Sequence, residues 1–354
     1  MTTILAINPG STSTKIALYE NQDCVWKETI EHLYEEVNQY ESIYDQYPMR
    51  IEAIKKALEK NNAKLEDLDA IVGRGGPAMP FKAGAYKLNE DLVELLGSNP
   101  KNNHISLLGG IIAYNMAEPL GIPSFIYDAV TVDELDDVAR ISGLKGIQRE
   151  SAGHYLNIRA AAKKVAEQKQ SSIEDMNLLI AHLGGGISIA CMKKGKVVEL
   201  ISDDEGPFSP ERTGGLPLRK VVDLCYENEK SVVLKMLRGN GGVVSYLGTT
   251  DMREVERRIE NGDKEAKLIF DAMVYQVSNW IGYLSPIVKG KIDFIVLTGG
   301  LANSQRFTQA LKERIEFLAE VIIIAGENEL ESLAHGALRV LQGKEEYHIY
   351  TKDS

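Results

Sequence analysis

Cysteine is scarce in this 354-residue chain: Cys24, Cys191 and Cys225 are an odd number without metal-ligand spacing, which excludes a disulfide framework and a cysteine-based zinc site. They read as buried thiols of a reducing compartment, so the expected location is cytoplasmic. Positive charge is short as well. Lys and Arg number 40 against 51 Asp and Glu, a net charge of −11, which repels phosphate backbones and anionic membrane surfaces, so neither nucleic acid nor membrane is an expected partner. No apolar run approaches membrane-spanning length, and no basic, apolar leader precedes the first strand-like residues, Ile4 to Ile7. Linker-like tracts rich in Gly, Ser or Pro and low-complexity segments are missing too.

What is present is a globular composition, 44% hydrophobic and 26% charged, in a chain longer than one core usually serves; two domains are expected. The opening reads as three hairpin-linked strands, Ile4 to Ile7, Lys15 to Tyr19 and Cys24 to Ile30, turning at Asn8-Pro9-Gly10 and near Asn21. The same grammar returns at Leu178 to His182, Gly184-Gly185-Gly186, Ile187 to Met192 and Val197 to Ile201. Asn8, Gly10 and Ala17 fall on His182, Gly184 and Ala190 with a one-residue gap, and Asp69 to Gly76 echoes Asp293 to Gly300. Shared order of this kind points to a duplicated domain, although strand-glycine turns also recur in unrelated α/β chains. Helical spacing over Ile51, Ile54, Ala57 and Leu58, over Arg159 to Gln168, over Arg306 to Ala319 and over Glu327 to Leu341 completes an α/β class.

Three stretches could hold phosphate. Asn8-Pro9-Gly10-Ser11-Thr12-Ser13-Thr14-Lys15 packs hydroxyls, an amide and a cation into one turn, a natural anion cradle. It is not a Walker A loop, because the Gly-Lys-Ser/Thr ending is missing and a strand follows; a plain polar hairpin would look similar. Gly184 to Gly186 would let backbone approach a phosphate closely, or serve as a bulge. Leu297 to Asn303, with Gly299-Gly300 before a helix, could face a nucleotide with its helix end. Gly73-Arg74-Gly75-Gly76-Pro77-Ala78 satisfies a relaxed dinucleotide pattern, but Pro77 and Pro80 break the helix that pattern needs and Arg74 fills its tight turn.

Taken as an ordered set, these motifs, together with Tyr127-Asp128-Ala129-Val130, Ser209 to Gly215 and Thr250-Asp251-Met252-Arg253, resemble the butyrate kinases and, more distantly, the acetate kinases, in the superfamily that also holds sugar kinases, Hsp70 and actin. The resemblance spans nearly the whole chain. It implies an α/β fold of two duplicated actin-like (ribonuclease H-like) domains around a central nucleotide cleft, at 1–152 with about 333–354, and 153–332. The implied reaction is reversible, ATP-dependent phosphorylation of a short-chain carboxylate to its acyl phosphate, with Mg²⁺, in a homo-oligomer of at least two subunits. By resemblance Asn8, Ser11, Ser13 and Lys15 form the first phosphate loop and Gly184, Gly185 and Gly186 the second. Asp251, Met252 and Arg253, with Gly299, Gly300 and Asn303, match segments that hold the adenosine. Arg74, Asp128 and Arg212 match active-site residues, His104 and His154 match cleft histidines, and Asn8, Asp128 and Glu331 match groups around the metal.

Chemistry agrees with these roles. Phosphoryl transfer asks a protein mainly for in-line positioning and for charge aimed at the transferred group, and guanidinium forks grip carboxylate or phosphoryl oxygens in pairs. A carboxylic acid with a pKa of about 4.3 is already ionised at neutral pH and needs no general base, so Asp128 is expected to organise metal rather than accept a proton. Two departures stand out: Glu150 occupies the place of a second acetate kinase histidine, and Leu107 that of a usual Asn. Where acetate kinases carry bulky residues after the matched arginine, Gly75 and Gly76 follow Arg74, which suggests room for butyrate or branched four- to five-carbon acids. The rival readings are a kinase of the same fold acting on a sugar hydroxyl and a nucleotide-binding ATPase outside metabolism.

Overall fold

The computed structural model describes residues 1–77, 79–98 and 105–352. The first six strands are β1 (Thr3–Pro9), β2 (Ser13–Glu20), β3 (Asp23–Glu31), β4 (Ala70–Gly73), β5 (Ala85–Lys87) and β6 (Ser124–Tyr127). The others are β7 (Asn177–Leu183), β8 (Ile187–Lys193), β9 (Lys196–Ile201), β10 (Phe294–Gly299), β11 (Glu320–Ala325) and β12 (Tyr347–Ile349). They form two sheets, ordered β12-β5-β6-β4-β1-β2-β3 and β11-β10-β7-β8-β9. The chain divides into two compact units to match: unit 1 is Met1–Asp133 with Asn328–Ser354, and unit 2 is Glu134–Glu327.

Each sheet starts from the same piece. In unit 1, β1, β2 and β3 are antiparallel neighbours and β4 joins β1 in parallel; in unit 2, β7, β8 and β9 repeat this and β10 joins β7 in parallel. The Asp that opens each echo ties the pair together. The Thr3 N–H donates to Asp69 Oδ2 at 2.7 Å while the Asp69 N–H donates to the Thr3 carbonyl at 2.9 Å. Asn177 and Asp293 make the same two bonds at 2.7 and 2.9 Å. The duplicated motif is therefore repeated down to its side-chain clamps.

The cores follow from the apolar spacing. Ile51, Ile54, Ala57 and Leu58 of helix Tyr47–Lys60 are buried in unit 1 beside Leu5, Ile7, Ile16 and Ile71. In unit 2 the longest helix, Lys264–Tyr283, is capped by Asp263, which accepts from the Glu265 and Ala266 N–H groups. It buries Ile269, Phe270, Met273, Val277 and Ile281 on one face, at helical spacing. Of the cysteines only Cys191 is buried; Cys24 and Cys225 are exposed, which corrects the expectation of three buried thiols. Among the described residues no helix is long and apolar enough to cross a membrane.

Candidate active site

Strands β1, β4 and β6 are parallel neighbours whose register aligns Ile7, Gly73 and Ile126. The chain therefore leaves all three at one edge, delivering Asn8, Arg74 and Asp128 side by side at their carboxyl ends, where open α/β sheets place ligands. Glycines set this edge. A Cβ on Gly73 would lie 1.9 Å from the Gly109 carbonyl oxygen, and one on Gly109 would lie 2.1 Å from that of Arg74. Helix Leu108–Ala117 thus touches the strand backbone directly beneath Arg74, an approach no side chain would allow.

Helix Glu329–Leu341 packs across β1, β4 and β6 and brings its first residue to the same edge. Glu329 Oε2 accepts from Asn8 Nδ2 at 2.5 Å and from Arg74 Nη1 at 3.0 Å, and Arg74 Nη1 is 3.5 Å from Asn8 Oδ1. The pair is mostly sheltered, with side-chain exposures of 22% for Arg74 and 11% for Glu329. Glu331 lies two residues further along the helix, hence on another face, near Tyr19, whose pKa is raised by burial, by Cys24 and by this carboxylate. The helix carboxylate in contact with Asn8 and Arg74 is Glu329, a residue the sequence reading did not single out.

Asp128 is 3% exposed and holds a left-handed backbone, φ +43°, a conformation of the kind that collects at functional sites. Gly84 locks it there. The Gly84 N–H donates to Asp128 Oδ1 at 2.9 Å and the Asp128 N–H donates to the Gly84 carbonyl at 3.1 Å. Its neighbour Tyr127 donates to Glu345 at 2.6 Å and accepts from Arg339 Nη2 at 2.7 Å; burial, then Asp128, raises its pKa. Gly336 has no Cβ because one would meet the Tyr127 ring at 2.6 Å. Gly76 is similarly filled from outside: its Cβ would come within 2.2 Å of Ala129 Cβ, so this glycine lets two segments close up and leaves no hole of its own. Along the first turn Ser11 and Lys15 are exposed and Ser13 half-buried.

In unit 2 the β7–β8 turn is closed by the Gly184 N–H donating to the Gly186 carbonyl at 3.1 Å. Side chains from Ser209 to Arg212 cover it. Ser209 Oγ donates to the Gly185 carbonyl at 2.5 Å; a Cβ on Gly185 would meet Glu211 Oε1 at 2.8 Å and one on Gly186 would meet Arg212 Nη1 at 2.6 Å. The Arg212 guanidinium thus lies on the glycine backbone. Asp203 pairs with both Arg212 and Arg238, and burial, with Arg238 adding repulsion, draws the Arg212 pKa down to about 10, still cationic at neutral pH. Its Nε is buried with no acceptor among the described residues. Sequence reading missed Asp203, nine positions before Arg212.

His154 caps helix Tyr155–Gln168, shares a 3.0 Å hydrogen bond between Nδ1 and Ser188 Oγ, and stacks on His182 with ring centroids 4.1 Å apart. His104 lies outside the described residues, and Glu150 is exposed. Elsewhere in unit 2, two expected segments come together. Thr250, Asp251, Met252 and Arg253 line a cavity of about 810 Å³ with Gly300, Asn303, Ser304 and Gln305. Arg253 Nε and Nη2 both donate to Asp251, at 2.9 and 2.8 Å, and hold that carboxyl below its usual range. Gly299 has φ +93°, and a Cβ there would meet the Leu183 carbonyl oxygen at 2.4 Å, which ties the start of this segment to the glycine turn.

Among the described residues no three His, Cys, Asp or Glu side chains converge to form a metal cage. Mg²⁺ rarely needs one, because it keeps several waters and binds through one or two carboxylates plus substrate phosphates. Asp128 and Glu329, with the Asn8 amide, fit that donor pattern.

A family model described as the acetokinase family matches residues 145–341, more than half of the chain. In fold the chain is similar to acetate kinase from Porphyromonas gingivalis, with a TM-score of 0.80 and 18% identity over 96% of this chain and 100% of that one. It is also similar to a propionate kinase from Francisella tularensis subsp. tularensis SCHU S4, with a TM-score of 0.75 and 19% identity over 95% and 99%. A ROK family protein from Streptococcus pneumoniae, solved with sucrose, is similar with a TM-score of 0.54 and 14% identity over 97% and 100%. The first two likenesses establish the two-sheet actin-like α/β fold that the sequence motifs led one to expect.

Proposed function

The chain belongs to the acetokinase family, and we propose that it phosphorylates butyrate or a branched four- to five-carbon acid from ATP, reversibly, with Mg²⁺. The observation that carries this reading is the Arg74, Asn8 and Glu329 cluster at the strand ends. A guanidinium whose position is set by strand, helix and carboxylate is pre-organised to grip an anionic acceptor or the transferred group, so little reorganisation remains when charge moves.

By family likeness Arg74 in unit 1 and Arg212 in unit 2 are each assigned to grip carboxylate or phosphoryl oxygens. Each keeps a carboxylate partner, Glu329 and Asp203 respectively, which fixes the fork while leaving other N–H groups for substrate. Asp128 and Glu329, with Asn8, would hold Mg²⁺ through its waters; the ion, when bound, offsets phosphate charge. No proton need be removed from the acceptor. Asp128 is therefore not needed as a base, and its Oδ1 accepts from the Gly84 N–H. His154, fixed by Ser188 and His182, and His104 are proposed donors to phosphoryl oxygen. Ser11, Ser13, Lys15 and the Gly184–Gly186 turn are assigned to the phosphates, and the cavity at Thr250–Arg253 and Gly300–Gln305 to the adenosine.

The preference for a longer acid is supported by likeness of the Gly73–Gly76 motif to butyrate kinases. It draws nothing from an empty space at Gly76, which Ala129 fills. ADP release and hydroxylamine-trapped acyl phosphate, measured across acetate, propionate, butyrate, isobutyrate and isovalerate, test the whole reading. The highest kcat/KM is expected with a four- or five-carbon acid; a maximum at acetate rejects the specificity, and no trapped product with any acid rejects the reaction.

A further inference from the structure

Behind the first turn of unit 1 lies a buried arginine outside the Arg74 cluster. Arg50, on helix Tyr47–Lys60, is fully buried, yet its guanidinium is completely used. Nη1 donates to the Ser13 carbonyl and to Thr14 Oγ1, both at 2.9 Å; Nη2 donates to the Ser11 carbonyl at 3.1 Å and to Gln46 Oε1 at 2.9 Å; Nε donates to Gln46 Oε1 at 3.3 Å. Every acceptor is neutral, and among the described residues no carboxylate pairs with it. Burial draws its pKa down only to about 10, so at neutral pH a whole charge is stored there.

A buried cation without a counter-ion is unfavourable, which makes an anion on the far side of the turn more favourable. The backbone points the same way. Carbonyl and following N–H face opposite directions across a planar trans peptide, so pinning the Ser11 carbonyl inward turns the Thr12 N–H outward, where it has no acceptor among the described residues. The Gly10 N–H, donating to the Ser13 carbonyl at 2.7 Å, and the His32 N–H, donating to that of Thr12 at 2.8 Å, complete the turn.

We propose that Arg50 is the positioning residue of the first phosphate loop: it holds the Ser11–Thr14 turn with its free N–H toward the nucleotide phosphates and supplies an uncompensated positive charge from behind. The inference rests on Asn8–Lys15 being that loop, so its test carries a control for the loop itself. Arg50→Met, Arg50→Lys and Lys15→Ala are compared by steady-state kinetics with each substrate varied in turn, and by Tm with and without ATP. Arg50→Met raises KM for ATP about 10-fold or more with KM for the carboxylate within about 2-fold, and Arg50→Lys, which keeps the charge, recovers at least about 3-fold of that loss. A purely structural arginine would shift both KM values together, or gain nothing from Lys, and either result overturns the proposal. Unchanged KM for ATP in Arg50→Met, with a raised value in Lys15→Ala, overturns the Arg50 role alone; unchanged values in both overturn the loop. Where Arg50→Met fails to fold, Gln46→Met decides, because it frees the guanidinium but keeps its charge: KM for ATP rises about 3-fold, or the proposal falls.

Discussion

Arg74 and Thr298 stand at corresponding points of the two halves, each six positions into an echo that starts at Asp69 or Asp293, and each at the end of a strand parallel to the first strand of its sheet. Around Arg74 the strand end is ringed with charge and amide groups from three strands and a helix. Thr298, which is 3% exposed, instead sits in register between His182 and Ile324, with Gly299 and Gly300 following it. The turns differ in the same sense: the first turn is braced from behind by Arg50, whereas the glycine turn is covered by the side chains of Ser209, Glu211 and Arg212. One strand scaffold occurs twice, and the side chains at its strand ends differ.

The sharpest way to break that comparison is to substitute each of the paired residues. Arg74→Thr writes the second half's residue into the first and is expected to lower kcat/KM by about 10²–10³-fold in acyl phosphate initial rates, whereas Thr298→Ser changes it less than about 3-fold. Equal losses would mean the halves are not specialised as described. A smaller effect separates the turns. Gly186→Ala drives a Cβ to 2.6 Å from Arg212 Nη1, while Gly10→Ala meets Ser13 Oγ at 3.1 Å and the Ser13 carbonyl oxygen at 3.6 Å. Displacing a guanidinium lowers kcat about 10-fold or more, and the second change should stay within about 3-fold, in the same assay.

Stability offers a third contrast, since Gly76 and Gly300 close their echoes at equivalent places. Gly76→Ala would put a Cβ 2.2 Å from that of Ala129, and Gly300→Ala meets nothing within 4 Å. Denaturant unfolding should show a loss of about 1–3 kcal/mol for the first and less than about 0.5 kcal/mol for the second. The smallest effect is in pH. Burial, then the nearby Arg50, lowers the pKa of His32 below 6.5, and its Nε2 shares a 2.8 Å hydrogen bond with Thr14 Oγ1. Between that lowered value and 6.5 the unfolded chain binds more protons, so stability falls as pH drops through the window, by at most about 1.4 kcal/mol per pH unit. Between pH 7 and 5 the Tm of the wild type is expected to fall further than that of His32→Gln; parallel losses would remove His32 as the cause.

Much of the scaffold could be read in advance because its signals are local. Apolar runs in β1, β2 and β7–β9, the repeated Asp and Gly-Gly ends, and the spacing of Leu333, Ala334, Ala337 and Leu338, all buried, need no partner to be recognised. Strands β5 and β12 are three residues each, too short to carry a pattern. Choosing Glu329 over Glu331 depends on the rotation of a helix about its axis, which packing decides. Asp203 and Arg50 look like ordinary surface charges until the chain folds, because what gives them meaning lies 9 residues away for Asp203 and 36 to 39 away for Arg50. Gly76 shows the limit most plainly: a missing side chain is visible in sequence, but what occupies its place is not.

Unit 1 is built from two stretches separated by all of unit 2, and the later stretch carries Glu329, Glu345 and strand β12, which pairs with β5. During synthesis the ribosome must finish residues 134–327 before it delivers the carboxylate that orients Arg74 or the strand that covers that edge. Unit 2 is contiguous and can collapse as it emerges, while the earlier part of unit 1 waits with β5 paired to β6 on one side only and with an unanchored guanidinium. The order of translation thus acts as a timer: the last pieces to arrive complete the cluster, and a nascent chain stalled short of them holds Arg74 without its Glu329 partner.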